Sequence, residues 1–175
     1  MSDRWQVVVT KTTKRLVPYG PAGDKLPAGF TAEIDYSDPP LRARLTASFD
    51  GVHRVKVESV VVERTDGESV TPEDMTSLQL AQVIHRAVWE ARAPGPGTLS
   101  RTDLGPQRDE RAAPTDEDLK LLARQYWFEF VAWGKPRQDV MWSFKLPRST
   151  ANRWIRKARE LYGLPGPHAD AEGSE

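Results

Sequence analysis

Between Ala93 and Pro114, seven of 22 residues are glycine or proline, and neither a helical nor an alternating apolar pattern survives there. Proline lacks a backbone donor and glycine loses the most freedom on ordering, so such a run does not continue a regular element. It divides the chain of 175 residues into two parts, each of which must close a small core of its own. The expected organisation is a module over 1–93, a linker over 94–114, a second module over 115–164 and a disordered tail over 165–175. In the tail, Pro165, Gly166 and Pro167 lead into Asp170, Glu172 and Glu175. Segments of this length exclude a large enzyme fold.

In the first module, Trp5, Val7 and Val9 alternate with polar residues, as do Phe30, Ala32, Ile34 and Tyr36, which predicts two half-buried strands. The prolines and glycines between them, from Pro18 to Gly29, predict no continuous element. Leu41 to Phe49, then Asp50-Gly51, then Val52 to Val62 reads as a hairpin. A two-residue loop would set Leu45 against Lys56 and Ala47 against Arg54, mixing apolar and charged residues on one face. A three-residue loop at Phe49-Asp50-Gly51 sets Leu45 against Val55 and Ala43 against Val57, with Arg42 beside Glu58, and is the expected register. Thr71-Pro72-Glu73-Asp74 starts a helix, with a hydroxyl cap, proline in the first turn and acids at the positive dipole end. Leu80, Val83, Ile84, Ala87, Val88 and Ala91 then form one apolar stripe. The expected class is α+β: an antiparallel sheet with one packed helix, followed by a bundle of three helices.

The bundle is legible in residues 115–164. Leu119, Leu122, Tyr126, Phe130 and Trp133 recur at spacings of three and four behind Asp116, Glu117 and Asp118, and Gly134 follows as a stop. Pro136 opens a short second helix with Val140 and Phe144 inward. Leu146-Pro147 interrupts it, and a third helix runs over 148–162 with Ala151, Trp154, Ile155, Ala158 and Leu161 on its buried face. Trp127, Trp133 and Trp154 are expected in the core, and Trp142, lying between the buried positions, is expected at the surface.

Val140, Phe144, Leu146, Ala151 and Trp154 match the apolar ladder that fixes the angle between the last two helices of the bacterial and phage helix-turn-helix domain. The run from Arg148 to Ile155 resembles recognition helices of actinobacterial and phage regulators. The family usually carries a small residue where Met141 stands and glycine where Lys145 stands. A lysine forced to positive φ there would cost ~1 kcal/mol relative to glycine. The resemblance covers only the last third of the chain. It implies a sequence-specific protein of double-stranded DNA, reading the major groove with helix 148–162.

Charge supports the same expectation. The chain carries 25 basic and 25 acidic residues, yet residues 135–159 contain eight basic residues and only one acid, Asp139. A nearby phosphate responds to the local charge rather than to the sum. Arg148, Ser149, Asn152 and Arg153 lie opposite the apolar face in the first turns of the third helix and are the expected base contacts, Asn suiting adenine and Arg suiting guanine. Arg137, Gln138, Lys145, Arg156 and Lys157 are the expected phosphate contacts. One small domain buries a limited interface, so a homodimer through residues 1–93 is expected. Two other readings stay open: a small terminase-like DNA-packaging or assembly protein, and an adaptor whose basic helix meets an acidic protein.

No catalytic constellation is visible. His53, His85 and His168 have no second ligand at metal spacing, cysteine is absent, and no phosphate loop or nucleophile motif occurs. The expectation is no enzyme, no metal and no cofactor. No apolar run reaches the length of a signal peptide or a membrane span, so a cytoplasmic protein without membrane contact is expected.

Overall fold

The computed structural model describes residues 5–92 and 113–166. The expected linker and tail, apart from residues 113–114 and 165–166, lie outside them. The described residues form two compact units, one from 5–17 and 26–92, the other from 18–25 and 113–166. Segment 18–25, which the sequence places with the first module, groups with the second.

The first unit is mixed α+β. Strands β1 (Trp5–Thr12), β4 (Gly29–Tyr36), β5 (Leu41–Ser48) and β6 (Lys56–Arg64) form an antiparallel sheet in that order. Two short strands, β2 (Leu16–Tyr19) and β3 (Asp24–Pro27), pair in the glycine- and proline-rich stretch where no continuous element was expected. Alternation puts the apolar residues on one face: Val7, Ile34, Ala43 and Val62 stand side by side across four strands, as do Val9, Ala32, Leu45 and Val60. Ala32, Ile34, Leu41 and Leu45 are fully buried. The other face carries opposite charges in adjacent strands. There Arg42 Nε donates to Asp35 at 2.8 Å and Arg44 to Glu33 at 3.3 Å.

The hairpin forms, but in another register. Leu45 faces Val60 rather than Val55, Ala43 faces Val62 rather than Val57, and Arg42 faces Glu63 rather than Glu58. Phe49 and Val55 are both buried, which widens the loop to residues 49–55, and a bulge opposite Thr46 and Ala47 absorbs Glu58. Asp50 Oδ1 accepts from the amides of Val52 and His53 at 2.9 and 3.0 Å, so the Asp50-Gly51 turn is held inside the longer loop.

The single expected helix is two, α1 (Pro72–Ser77) and α2 (Leu80–Ala91). Thr71 and Asp74 cap α1 reciprocally, as their spacing predicts. The break falls at Leu78 and Gln79: Leu78 is buried, its carbonyl accepts from Tyr36 Oη at 2.6 Å, and Gln79 takes φ 44°. The Tyr36 bond draws the carbonyl away from the helix. Val83, Ile84, Ala87 and Val88 then turn α2 onto β1 and β4, while Leu80, expected inward, is exposed.

The second unit contains α3 (Asp116–Val131), α4 (Pro136–Ser143) and α5 (Arg148–Tyr162). Thr115 and Asp118 form the capping box of α3. Leu119, Leu122 and Tyr126 of α3 pack with Val140, Leu146 and Trp154 in one core. At the start of β3, Asp24 accepts from Arg124 Nε at 2.5 Å and also from Nη2 of the same guanidinium. These bonds hold Arg124 above its ordinary pKa against the opposing effect of burial. Gly20, at φ 63°, lies flat on Trp127, where a Cβ would come within 3.1 Å of the side chain. Trp133 and Leu161, both expected in the core, are exposed. Trp133 is at φ 61° in the turn that ends α3, and Leu161 lies in the last turn of α5. Among the described residues no helix is long and apolar enough to cross a membrane.

Candidate nucleic-acid interface

The basic segment is carried by α4, a four-residue turn and α5. The turn is set by backbone geometry. The amide of Leu146 bonds the carbonyl of Met141 at 2.9 Å and that of Lys145 bonds Trp142 at 3.3 Å, which closes α4 with Lys145 left-handed at φ 51°. This is the paired-bond ending that helices usually make with glycine. The lysine adopts the positive φ that its position predicts. The ring of Phe144 meets Trp154 edge to face at 6.4 Å between centroids, bracing α4 on α5. Met141, half-buried, packs against the same core instead of wedging the helices open.

All five residues of the apolar ladder sit at that core: Val140, Leu146, Ala151 and Trp154 are buried, and Phe144 is partly so. At about 100° per residue, Ala151, Trp154, Ile155 and Ala158 occupy one side of α5. Arg148, Asn152, Arg156, Ser149, Arg153 and Lys157 follow one another around the opposite arc of about 180°. All six are exposed, as are Arg137 on α4 and Lys145 in the turn, whereas Gln138 is half-buried. From Arg148 to Lys157 the cationic face runs about 14 Å along the helix, comparable with the width of about 12 Å of a major groove.

Among the described residues Arg137, Lys145, Arg148, Arg153, Arg156 and Lys157 form no salt bridge. Neither α4 nor α5 has a side-chain cap, and both begin with proline at or just before the first turn. Their first amides therefore point outward unspent by a cap. No acid stands in the first turn of α5.

Two further residues belong to this surface: Glu160, which the sequence does not single out, and Trp142, which it expects to be exposed. Glu160, exposed, falls on the same arc about one turn past Arg156, so the cationic face ends there; its helical angle was available from spacing alone. Trp142, 64% exposed, projects from α4 on the side opposite Val140. Beyond α5, Gly163 at φ 60° ends the helix and buried Leu164 returns to the core, with Tyr126 Oη donating to the Pro165 carbonyl at 3.4 Å. Among the described residues no group of three or more His, Cys, Asp or Glu could hold a metal ion. No protein-family model, curated protein or solved structure matches the chain.

Proposed function

We propose that the protein binds double-stranded DNA with sequence preference through residues 115–164, acting as a helix-turn-helix transcriptional regulator of bacterial or phage type. The observation that carries this reading is the uncompensated cationic face of α5, mounted on a bundle that holds its opposite side in a packed core. Unpaired surface charge of one sign gains most from a polyanion, because releasing condensed counterions supplies much of the affinity for a duplex.

In this reading α5 lies in the major groove. Arg148 and Arg153 offer donors to guanine, Asn152 a bidentate edge to adenine, and Ser149 a hydroxyl to either. Lys145, Arg156 and Lys157 flank the groove and meet phosphates. Arg137 and Gln138, with the free amides at the start of α4, grip the adjacent backbone. Two copies, joined through the first unit, would read two half-sites about 34–36 Å apart.

Selection of bound duplexes from a random pool by the full chain tests the proposal. The expected result is an enriched motif whose affinity falls steeply with salt. Recovery of no motif, or binding that salt leaves unchanged, overturns it.

A further inference from the structure

The residues that follow Gly166 carry charge of one sign. Residues 167–175 hold Asp170, Glu172 and Glu175 with no lysine or arginine, whereas the three acids of residues 94–114 are matched by three arginines. The same stretch has no large apolar side chain, so charge is what it can offer a surface.

The end of α5 fixes where this stretch begins. Gly163, at φ 60°, turns the chain off the helix axis and Leu164 enters the core. The Pro165 carbonyl then accepts from Tyr126 Oη at 3.4 Å and from Arg159 Nη2 at 3.5 Å. At Gly166 the chain is therefore beside the Arg159 guanidinium and not beyond the end of the helix. Arg159 Nε is buried without a hydrogen-bond partner, and among the described residues Arg159 forms no salt bridge. At about 100° per residue, Arg159, Arg156, Asn152 and Arg148 make one stripe along α5, and all but Arg159 belong to the exposed cationic face.

We infer that residues 167–175 fold back along this stripe, so that the acidic segment and a duplex compete for the same arginines. The inference rests on the DNA-binding reading and gives that site a competitor within its own chain. Reach is sufficient. Arg156 lies about 4.5 Å and Arg148 about 16 Å back along the axis from Arg159. Asp170, four residues past Gly166, extends up to about 14 Å, and Glu175, nine residues past it, up to about 30 Å. Glu160 lies about 100° around the helix from Arg159, and Asp116 and Glu117 stand at the start of α3, where Tyr162 Oη meets the Asp116 carbonyl. These acids repel the segment from the C-terminal end of α5 and leave the direction of Arg156 and Arg148 open. Exposed ion pairs are individually weak. A tether this short, however, holds the acids at an effective concentration of about millimolar, where several weak pairs suffice.

The chain has no cysteine, so Ser174→Cys gives one attachment point for a nitroxide on the full-length protein. At low salt the amide resonances of Asn152, Arg153 and Arg156 are expected to broaden. The broadening should fade at about 0.5 M salt, and when Asp170→Asn, Glu172→Gln and Glu175→Gln are combined. Without the label, the same triple variant should bind duplexes selected from a random pool about fivefold more tightly than wild type, with a steeper salt slope. Asp103→Asn, Asp109→Asn and Glu110→Gln together change the net charge equally and should leave affinity within about twofold. The inference is overturned if neutralising the segment leaves the broadening or the affinity unchanged, or if the 103/109/110 variant gains as much. It is also overturned if the broadening appears between a spin-labelled copy and a separate isotope-labelled copy, which would assign the contact to two chains. The two readings fail separately. Salt-sensitive broadening in a protein that binds no duplex in any form refutes the DNA reading and leaves the fold-back standing. A duplex bound equally by both forms refutes the fold-back and leaves the DNA reading standing.

Discussion

The charged face of the sheet and the exposed face of α4 and α5 use arginine in opposite ways. On the sheet, Arg42 and Arg44 are matched across strands to Asp35 and Glu33, and Arg64 binds Asp66 at 2.6 Å and Asp74 at 3.1 Å. On α4 and α5, Arg137, Arg148, Arg153, Arg156 and Lys157 are exposed and form no salt bridge among the described residues. A chain whose charges sum to zero thus keeps an uncompensated cationic face on α5 among the described residues. Charge that a fold already neutralises serves the fold, and charge left uncompensated on a rigid support is available to a partner.

The largest effect should come from removing that support. Leu122 is fully buried at the centre of the bundle, and Leu122→Ala is expected to destabilise the helical unit by ~2–5 kcal/mol in denaturant unfolding. Specific duplex binding should be lost when the bundle melts. Binding that persisted above the melting temperature would mean that the charge, and not its mounting, carries the interaction.

Next in size, Arg153→Ala should cost ~1–3 kcal/mol of DNA affinity and blur the preferred sequence, whereas Lys157→Ala should weaken all sequences alike and flatten the salt slope by ~1. Arg42→Ala, on the matched face of the sheet, should change neither quantity. Fluorescence anisotropy across a salt series separates the three, and equal effects from Arg153 and Arg42 would erase the contrast between the units.

Lys145→Gly sharpens the comparison within one residue. Relief of the left-handed backbone should stabilise the bundle by ~1 kcal/mol, while loss of a phosphate contact weakens duplex binding. Calorimetry and binding on the same variant should therefore move in opposite directions. Gains in both would remove Lys145 from the interface.

The smallest effect is expected from acid, and in the sheet unit. The Asp66 carboxyl is lowered to about 2, chiefly by the Arg64 hydrogen bonds. Asp74 is lowered by the Thr71 amide and then, against the opposing effect of burial, by Arg64. Depressed carboxylates contribute stability that is fully present above their unfolded value of about 4 and is lost as pH falls through the folded one. The melting temperature of the sheet unit should be level above about pH 5 and decline between about pH 4 and pH 2, and Arg64→Gln should flatten that decline. A level profile through pH 2 in the wild type would show that these ion pairs contribute nothing to the fold.

Patterns of period two and period three to four were enough to place β1, β4, β5 and α3 to α5, because each reflects one face turned inward in a single element. The capping boxes at Thr71 and Thr115 are equally local. The exposed positions of the cationic arc followed from the same periodicity, since the apolar side of α5 fixes where its other side points.

Long-range bonds decided what remained. The split between α1 and α2 depends on Tyr36, 42 residues before the carbonyl it binds. The hairpin register turned on whether Phe49 and Val55 could both enter the core, which no alternation within the hairpin reveals. Segment 18–25 joins the helical unit because Asp24 finds Arg124, 100 residues along the chain. Sequence by itself determined which residues seek water and which avoid it. The tertiary structure decided which of equally polar arginines found an acid, because pairing depends on what the fold brings within a few ångströms and not on what neighbours a residue in the chain.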